Sequence, residues 1–232
     1  MSILTVIKVD HSYGGSRTLW GVNLSVPAGS RTCLMGRNGM GKTTLLKCIM
    51  GLLPVTGGRI AFEGTDILSY PAERRARLGI GYVPQGREIF PQLTVEENLR
   101  IGLGVRKNGA RAIPPRVFEL FPALKKMLHR RGGDLSGGQQ QQLAIGRALV
   151  LEPKLLILDE PTEGIQPNVV HEIGDVLLRL NEAGVTVLLV EQKLPFARRV
   201  ASEFRILEKG RCVAGGSIGE LTDSVVHEHL SV

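Results

Sequence analysis

The first part of the chain alternates. In SILTVIKV and TLWGVNLSV, apolar and polar positions trade places with a period close to two, as in strands with one buried face. YGG and PAGS read as turns, and the RTCLM that follows is largely apolar. GRIAFEGTDI, Gly58 to Ile67, adds a strand and a Glu-Gly turn. From about 86 to 150 the character becomes helical. TVEENLRIGL opens on Thr94 with Glu97 three residues later, a capping box. PPRVFELFPALKKML carries helical spacing. KLLILDE and VTVLLVE are continuous apolar runs, as in parallel strands buried on both faces, and a helix from Asn168 to Ala183 separates them. EFRILEKGRCVAGG reads as a hairpin turning at Lys209-Gly210. The pattern predicts an α/β core with a β-rich edge and a helical insertion, without repeats or low-complexity linkers.

Composition narrows this. A chain of 232 residues suits one domain, or one core with an inserted subdomain. The net charge is +7, yet no long basic run occurs. The densest clusters are Arg74–Arg77, Lys125 with Lys126, and Arg130 with Arg131, each read as a solvated helix face. Cys33, Cys48 and Cys212 show no paired spacing and read as small buried hydrophobes in a reducing compartment. MSILTVIKVD lacks the pattern of a secretory signal, and no apolar run approaches the roughly 18 residues needed to span a bilayer. Any membrane work would then need other chains for the spanning. Trp20 is expected in the core. The five histidines give no metal spacing, and His227 and His229 read as part of a solvated end.

The strongest chemical signal is GRNGMGKTT, comprising Gly36, Arg37, Asn38, Gly39, Met40, Gly41, Lys42, Thr43 and Thr44. It fits G-x-x-x-x-G-K-[ST] between an apolar strand and the helical LLKCIMGLL. Loop N–H groups can wrap phosphate oxygens, Lys42 adds a point charge, and Thr43 offers a hydroxyl to Mg²⁺. LLILDE ends a buried strand in Asp159, placed to hold Mg²⁺, and Glu160, which could polarise an attacking water. LSGGQ opens another helix with Ser136, Gly137, Gly138 and Gln139, a second anion nest. One chain could use both nests. Alternatively, two chains could pair head to tail, each completing the other's site.

GRNGMGKTT, Gln85, LSGGQ and LILDEP, in that order, resemble the nucleotide-binding subunits of ATP-binding-cassette transporters over essentially the whole chain. The resemblance implies ATP and Mg²⁺ as cofactors. It also implies a P-loop NTPase fold of the cassette type: a RecA-like core, an antiparallel β-subdomain and an inserted α-helical subdomain. On that pattern residues 1–85 and 151–232 form the core with the β-subdomain, and 86–150 the helical subdomain carrying the signature motif. Ser136 to Gln139 would close on ATP held by a partner subunit. Tyr13 would stack on adenine. Gln85 would meet Mg²⁺ and the attacking water, Glu160 would be the catalytic base, and EGIQP, Glu163 to Pro167, would be the dimer-contacting loop. One position departs from the family. Where a histidine usually follows the strand and glutamate, this chain has Gln192. An amide can donate a hydrogen bond to the γ-phosphate but cannot become a cation, so slower but real hydrolysis is expected.

VPQGREIFPQLTVEEN, Val83 to Asn98, mixes apolar, charged and proline positions. In the family the segment after the glutamine lines the cleft that receives a coupling helix of the transmembrane subunit. Ile89 and Phe90 would be the apolar anchor, with Arg87 and Glu88 as polar contacts; alternatively Phe90 tucks into its own helical subdomain. Together with MGLLPVTGG, EGIQP and VEQ, this stretch resembles the ATPases of hydrophobic and branched-chain amino-acid importers, and among these most of all the urea-import ATP-binding subunits. The resemblance implies transmembrane permease subunits and a second ATP-binding subunit, identical or different, as direct partners at the cytoplasmic face of the inner membrane. A periplasmic solute-binding protein would be an indirect partner, and no nucleic acid is implied. Soluble cassettes acting on nucleic acid or ribosomes fit less well, because they carry long insertions or two copies per chain; an iron–sulfur assembly ATPase fits on length and is disfavoured by the importer-type motifs. A non-hydrolysing switch is disfavoured by Glu160 following Asp159.

Overall fold

The structure is a computed structural model and describes residues 1–106 and 112–230. Its strands and helices, in chain order, begin with β1 (Ser2–Tyr13), β2 (Ser16–Pro27), β3 (Arg31–Met35), α1 (Lys42–Met50), β4 (Gly57–Phe62), β5 (Thr65–Asp66), α2 (Ala72–Leu78) and β6 (Ile80–Val83). There follow α3 (Val95–Ile101), α4 (Pro115–Leu120), α5 (Pro122–Lys126), α6 (Gly137–Leu149), β7 (Leu155–Asp159) and α7 (Pro167–Glu182). The chain continues through β8 (Thr186–Val190), α8 (Leu194–Val200), β9 (Glu203–Glu208), β10 (Arg211–Ser217) and α9 (Asp223–His229).

The strands form a six-stranded sheet in the order β10-β9-β3-β8-β7-β6 and a four-stranded sheet in the order β2-β1-β4-β5. In the larger sheet β9, β3, β8, β7 and β6 run parallel, and only β10 returns antiparallel. All five residues of β7 and of β8 are buried, because both faces of the sheet are covered. Successive residues point to opposite faces. Leu155 and Ile157 therefore join the core shared with α1 and the four-stranded sheet, while Leu156 and Leu158 join the core shared with α6, α7 and α8. Among the described residues no helix is long and apolar enough to cross a membrane.

The strand and hairpin patterns appear as read, including the turn at Lys209-Gly210. Several expectations need correction. α2 and β6 are two short elements that the pattern did not reveal. The helical stretch near 115–127 is two helices, broken at Phe121 (φ −129°), because the residue before Pro122 is pushed out of the helical region. Trp20 is 39 % exposed, flanked by the guanidinium of Arg17 at 4.3 Å and that of Arg211 at 5.7 Å from its ring. Cys212 is only partly buried. His229 is not solvated: its side chain is mostly covered, with Glu208 at 3.4 Å.

The Arg74–Arg77 cluster is a solvated face only in part. Arg75 is 2 % exposed. It donates to the carbonyls of Cys48 (2.8 Å) and Ile49 (2.7 Å) at the end of α1, and to those of Tyr70 (2.8 Å) and Leu68 (2.9 Å). The last carbonyls of a helix lack intrahelical partners, and a buried guanidinium satisfies them while answering the negative end of the helix dipole. Gly51 makes room: a Cβ there would come within 2.9 Å of the guanidinium.

Candidate functional site

The parallel strands present their C-terminal ends along one edge of the sheet, where open α/β sheets build their sites. The loop after β3 is GRNGMG, the residues after β7 include Glu160 and Thr162, those after β8 are Glu191 and Gln192, and the loop after β6 holds Gln85. Because β3, β8 and β7 are neighbours, segments far apart in sequence meet here.

The phosphate loop needs its glycines. Gly36 sits at φ 145°, and a Cβ on it would stand 2.2 Å from the carbonyl oxygen of Leu207. Gly41 (φ 99°) caps α1 with no side-chain acceptor, and no acid lies in the first helical turn. The positive end of α1 is thus left open to an anion. Lys42 is 5 % exposed and donates to the carbonyls of Gly36 (2.7 Å) and Arg37 (2.9 Å). Its ammonium also lies 3.8 Å from Glu160. Burial pulls the Lys42 pKa down, while Glu160, Asp159 and Glu191 oppose that pull.

Asp159 is 1 % exposed, and neither carboxylate oxygen has a hydrogen-bond partner among the described residues. Burial pushes its carboxyl up to about 6, with Thr43 and Lys42 opposing and Glu160 adding to the rise. A buried, unpartnered carboxylate beside a threonine hydroxyl fits a hard cation. No group of three or more His, Cys, Asp or Glu side chains among the described residues could hold a metal alone. A Mg²⁺ held by Asp159 and Thr43 would need its other ligands from phosphate oxygens and water, its usual habit.

Glu160 lies where the site converges. Its φ is 47°, and its N–H donates to the carbonyl of Val190 (2.9 Å). Gln192 Nε2 donates to its Oε1 (2.5 Å) and to Asn38 Oδ1 of the phosphate loop (2.7 Å). Gln85 Nε2 approaches its Oε2 at 3.4 Å and donates to Glu163 Oε2 at 3.0 Å. Two side-chain amides and one ammonium thus face a single carboxylate.

The remaining expected residues stand apart. Tyr13, at the end of β1, is 50 % exposed and packs edge-on against His11, with ring centroids 4.6 Å apart. Ser136 accepts from the Gln139 N–H (3.3 Å), and Gln139 Oε1 accepts from the Ser136 N–H (3.0 Å), so the signature segment caps its own helix. Among the described residues no hydrogen bond joins Ser136, Gly137, Gly138 or Gln139 to the phosphate loop. Phe90 is 45 % exposed, under the Arg147 guanidinium at 5.2 Å, whereas Ile89 packs onto the core.

Sequence reading gave Arg87 only a surface role and passed over Glu191. Arg87 bridges to Gln140 (3.2 Å) beside the signature segment, and its guanidinium lies 3.2 Å from where a Cβ on Gly137 would be. Gly86, Arg87 and Glu88 all carry positive φ, a run of left-handed backbone in the loop after Gln85. Glu191 is a buried carboxylate whose only sequence signal is a charge ending an apolar run.

Comparison with known proteins identifies the family. The model of the ABC transporter family matches residues 19–163. The chain is 42 % identical over 212 residues to the high-affinity branched-chain amino acid transport ATP-binding protein BraG of Pseudomonas aeruginosa, covering 91 % of each chain. It is 36 % identical over 230 residues to the probable branched-chain amino acid transport ATP-binding protein LivF of Archaeoglobus fulgidus, covering 98 % of each. Among solved structures, the ADP conformation of MJ1267, an ATP-binding cassette of an ABC transporter, aligns with a TM-score of 0.82 at 32 % identity over 98 % of both chains. The ATP-binding cassette MJ0796, a dimer in a post-hydrolysis state bound to ADP and Pi, aligns with a TM-score of 0.81 at 25 % identity, over 93 % of this chain and 98 % of that one. The chain belongs to the ABC transporter family: it is an ATP-binding cassette, an ATPase that uses ATP with Mg²⁺ and has the α/β P-loop fold of such cassettes.

Proposed function

We propose that this chain powers an importer of branched-chain or other hydrophobic amino acids, working as a pair of ATPase subunits beneath transmembrane permeases on the cytoplasmic face of the membrane. The names of BraG and LivF support this solute class, and neither carries urea. Urea import, the solute suggested by the sequence motifs, is the second reading. The solute would touch the permeases and a solute-binding protein, not this chain.

The observation carrying the hydrolytic reading is the convergence of Gln85, Gln192 and Lys42 on Glu160 beside the unpartnered Asp159. Residues 36–44 hold the phosphates through backbone N–H groups. Lys42 leaves the loop carbonyls for the β- and γ-phosphates. Mg²⁺ arriving with ATP would be held by Thr43 and Asp159, with the Gln85 amide oxygen within its reach, and would neutralise phosphate charge. Glu160 accepts the proton of the attacking water, and the amides of Gln85 and Gln192 orient that water. Tyr13 stacks on the base. Ser136 to Gln139 of one subunit close on the nucleotide of the other. On this reading residues 86–150 are the arm presenting the signature segment, and 1–85 with 151–232 hold the nucleotide.

The test is uptake of labelled leucine and labelled urea by cells lacking this chain, rescued with wild type or Glu160→Gln. Loss of leucine uptake restored only by wild type is expected. Loss of urea uptake alone would move the assignment to urea.

A further inference from the structure

Glu191 is 3 % exposed and follows β8 directly. Its Oε2 accepts from the Thr162 hydroxyl at 2.6 Å. Its Oε1 accepts from the backbone N–H groups of Gln192 (2.8 Å) and Lys193 (3.0 Å). Lys193 closes the loop from the other side, its ammonium donating to the Thr162 carbonyl at 2.8 Å. Thr162 is fully buried and lies two residues after Glu160. Two of these hydrogen bonds, Thr162 to Glu191 and Lys193 to Thr162, therefore clasp the segments after β7 and after β8 to each other, and the other two fold the Glu191 carboxylate onto its own segment.

Burying a carboxylate is costly, and an apolar residue ending VLLV would avoid that cost. Packing alone therefore does not account for Glu191. What the clasp fixes is specific. It holds the Gln192 backbone on one side and the stretch after Glu160 on the other, and the Gln192 amide meets Glu160 between them at 2.5 Å. The Glu191 N–H further leans on the Leu34 carbonyl of β3 (3.4 Å), the strand leading into the phosphate loop.

We infer that Glu191 is a positioning residue for ATP hydrolysis, clasping Thr162 to the Gln192 backbone so that the Gln192 amide is held on Glu160. The inference rests on the reading that Gln192 serves Glu160.

The test is the ATPase rate, as kcat and KM for ATP, of Glu191→Ala, Gln192→Ala and the double variant. Glu191→Ala is expected to lower kcat about tenfold, the worth of one misplaced hydrogen bond, with KM within about twofold. In the Gln192→Ala background it should cost nothing more, since its effect runs through that amide. Glu191→Gln should restore most of the rate: its amide oxygen still accepts from both backbone N–H groups, and its NH₂ can donate to the Thr162 hydroxyl. If Glu191→Ala does not fold, Thr162→Val replaces it in the same comparison. Multiplying losses in the double variant, or a risen KM with kcat intact, would overturn the inference. A slow Gln192→Ala beside a normal Glu191→Ala would overturn it while sparing the hydrolytic reading. A normal Gln192→Ala would overturn both the inference and the role given to Gln192, leaving Glu160 as the base to be judged by Glu160→Gln.

Discussion

The side-chain amide of Gln192 donates to Glu160 Oε1 at 2.5 Å, and the same nitrogen donates to Asn38 Oδ1 at 2.7 Å. One neutral group thus ties the carboxylate after β7 to the phosphate loop. An amide does not titrate, so residue 192 adds no pH dependence of its own. Gln192→His should add one. Near the usual imidazole pKa of about 6.5 it becomes a cation and supplies the charge toward the γ-phosphate that the amide cannot. The ratio of kcat for Gln192→His to that of wild type should rise through that range as pH drops. Superimposable profiles would contradict the contact.

Asp159 makes folding depend on pH. Its folded pKa is about 6, raised above the ordinary carboxylate value of 3.8 by burial. Between those values the native state binds the extra proton, so this group's contribution to stability falls as pH rises from about 4 to about 6 and stays low above. Asp159→Asn removes the cost. In metal-free protein at pH 7 the variant should be more stable than wild type by on the order of 3 kcal/mol, with the gap closing near pH 4. Urea unfolding at the two pH values checks this, and Mg-dependent ATPase activity should be lost in the variant.

Arg75 anchors the end of α1 from within. Arg75→Met removes the donor to four carbonyls and leaves them buried. The expected loss is about 3 kcal/mol or more, read from chemical unfolding. Arg75→Lys should recover little, because a single ammonium cannot span that fork of acceptors. A loss under about 1 kcal/mol for Arg75→Met would contradict the bracing role.

Tyr13 has half its surface free. Tyr13→Ala should weaken ATP binding about tenfold, the scale of one base-aromatic stack, while kcat at saturation holds. Tyr13→Phe should bind as wild type. Titration with a fluorescent ATP analogue distinguishes the two.

The site was legible where its chemistry is local. Gly36 to Thr44 declare themselves because a phosphate loop needs glycines with φ values that side chains oppose and a lysine at a fixed offset. Asp159 and Glu160 are legible because two acids end an apolar strand. Strand alternation similarly exposed β1, β2 and the closing hairpin. What was hidden depends on distant partners. Arg75 sits in a run of arginines, and only the α1 carbonyls single it out. Glu191 looks like a strand-end charge until Thr162 arrives from another loop. Trp20 suggested core by size, yet flanking guanidiniums keep it at the surface. The break at Phe121 was marked by Pro122, but the helical spacing runs through it and masked the stop.

The most direct measurement is ATP turnover of Glu160→Gln against wild type, with ATP affinity measured on the same samples. The amide keeps the shape of the carboxylate and cannot take the water proton. Turnover should fall at least about 100-fold while ATP still binds. Undiminished hydrolysis by Glu160→Gln would show that Glu160 is not the base.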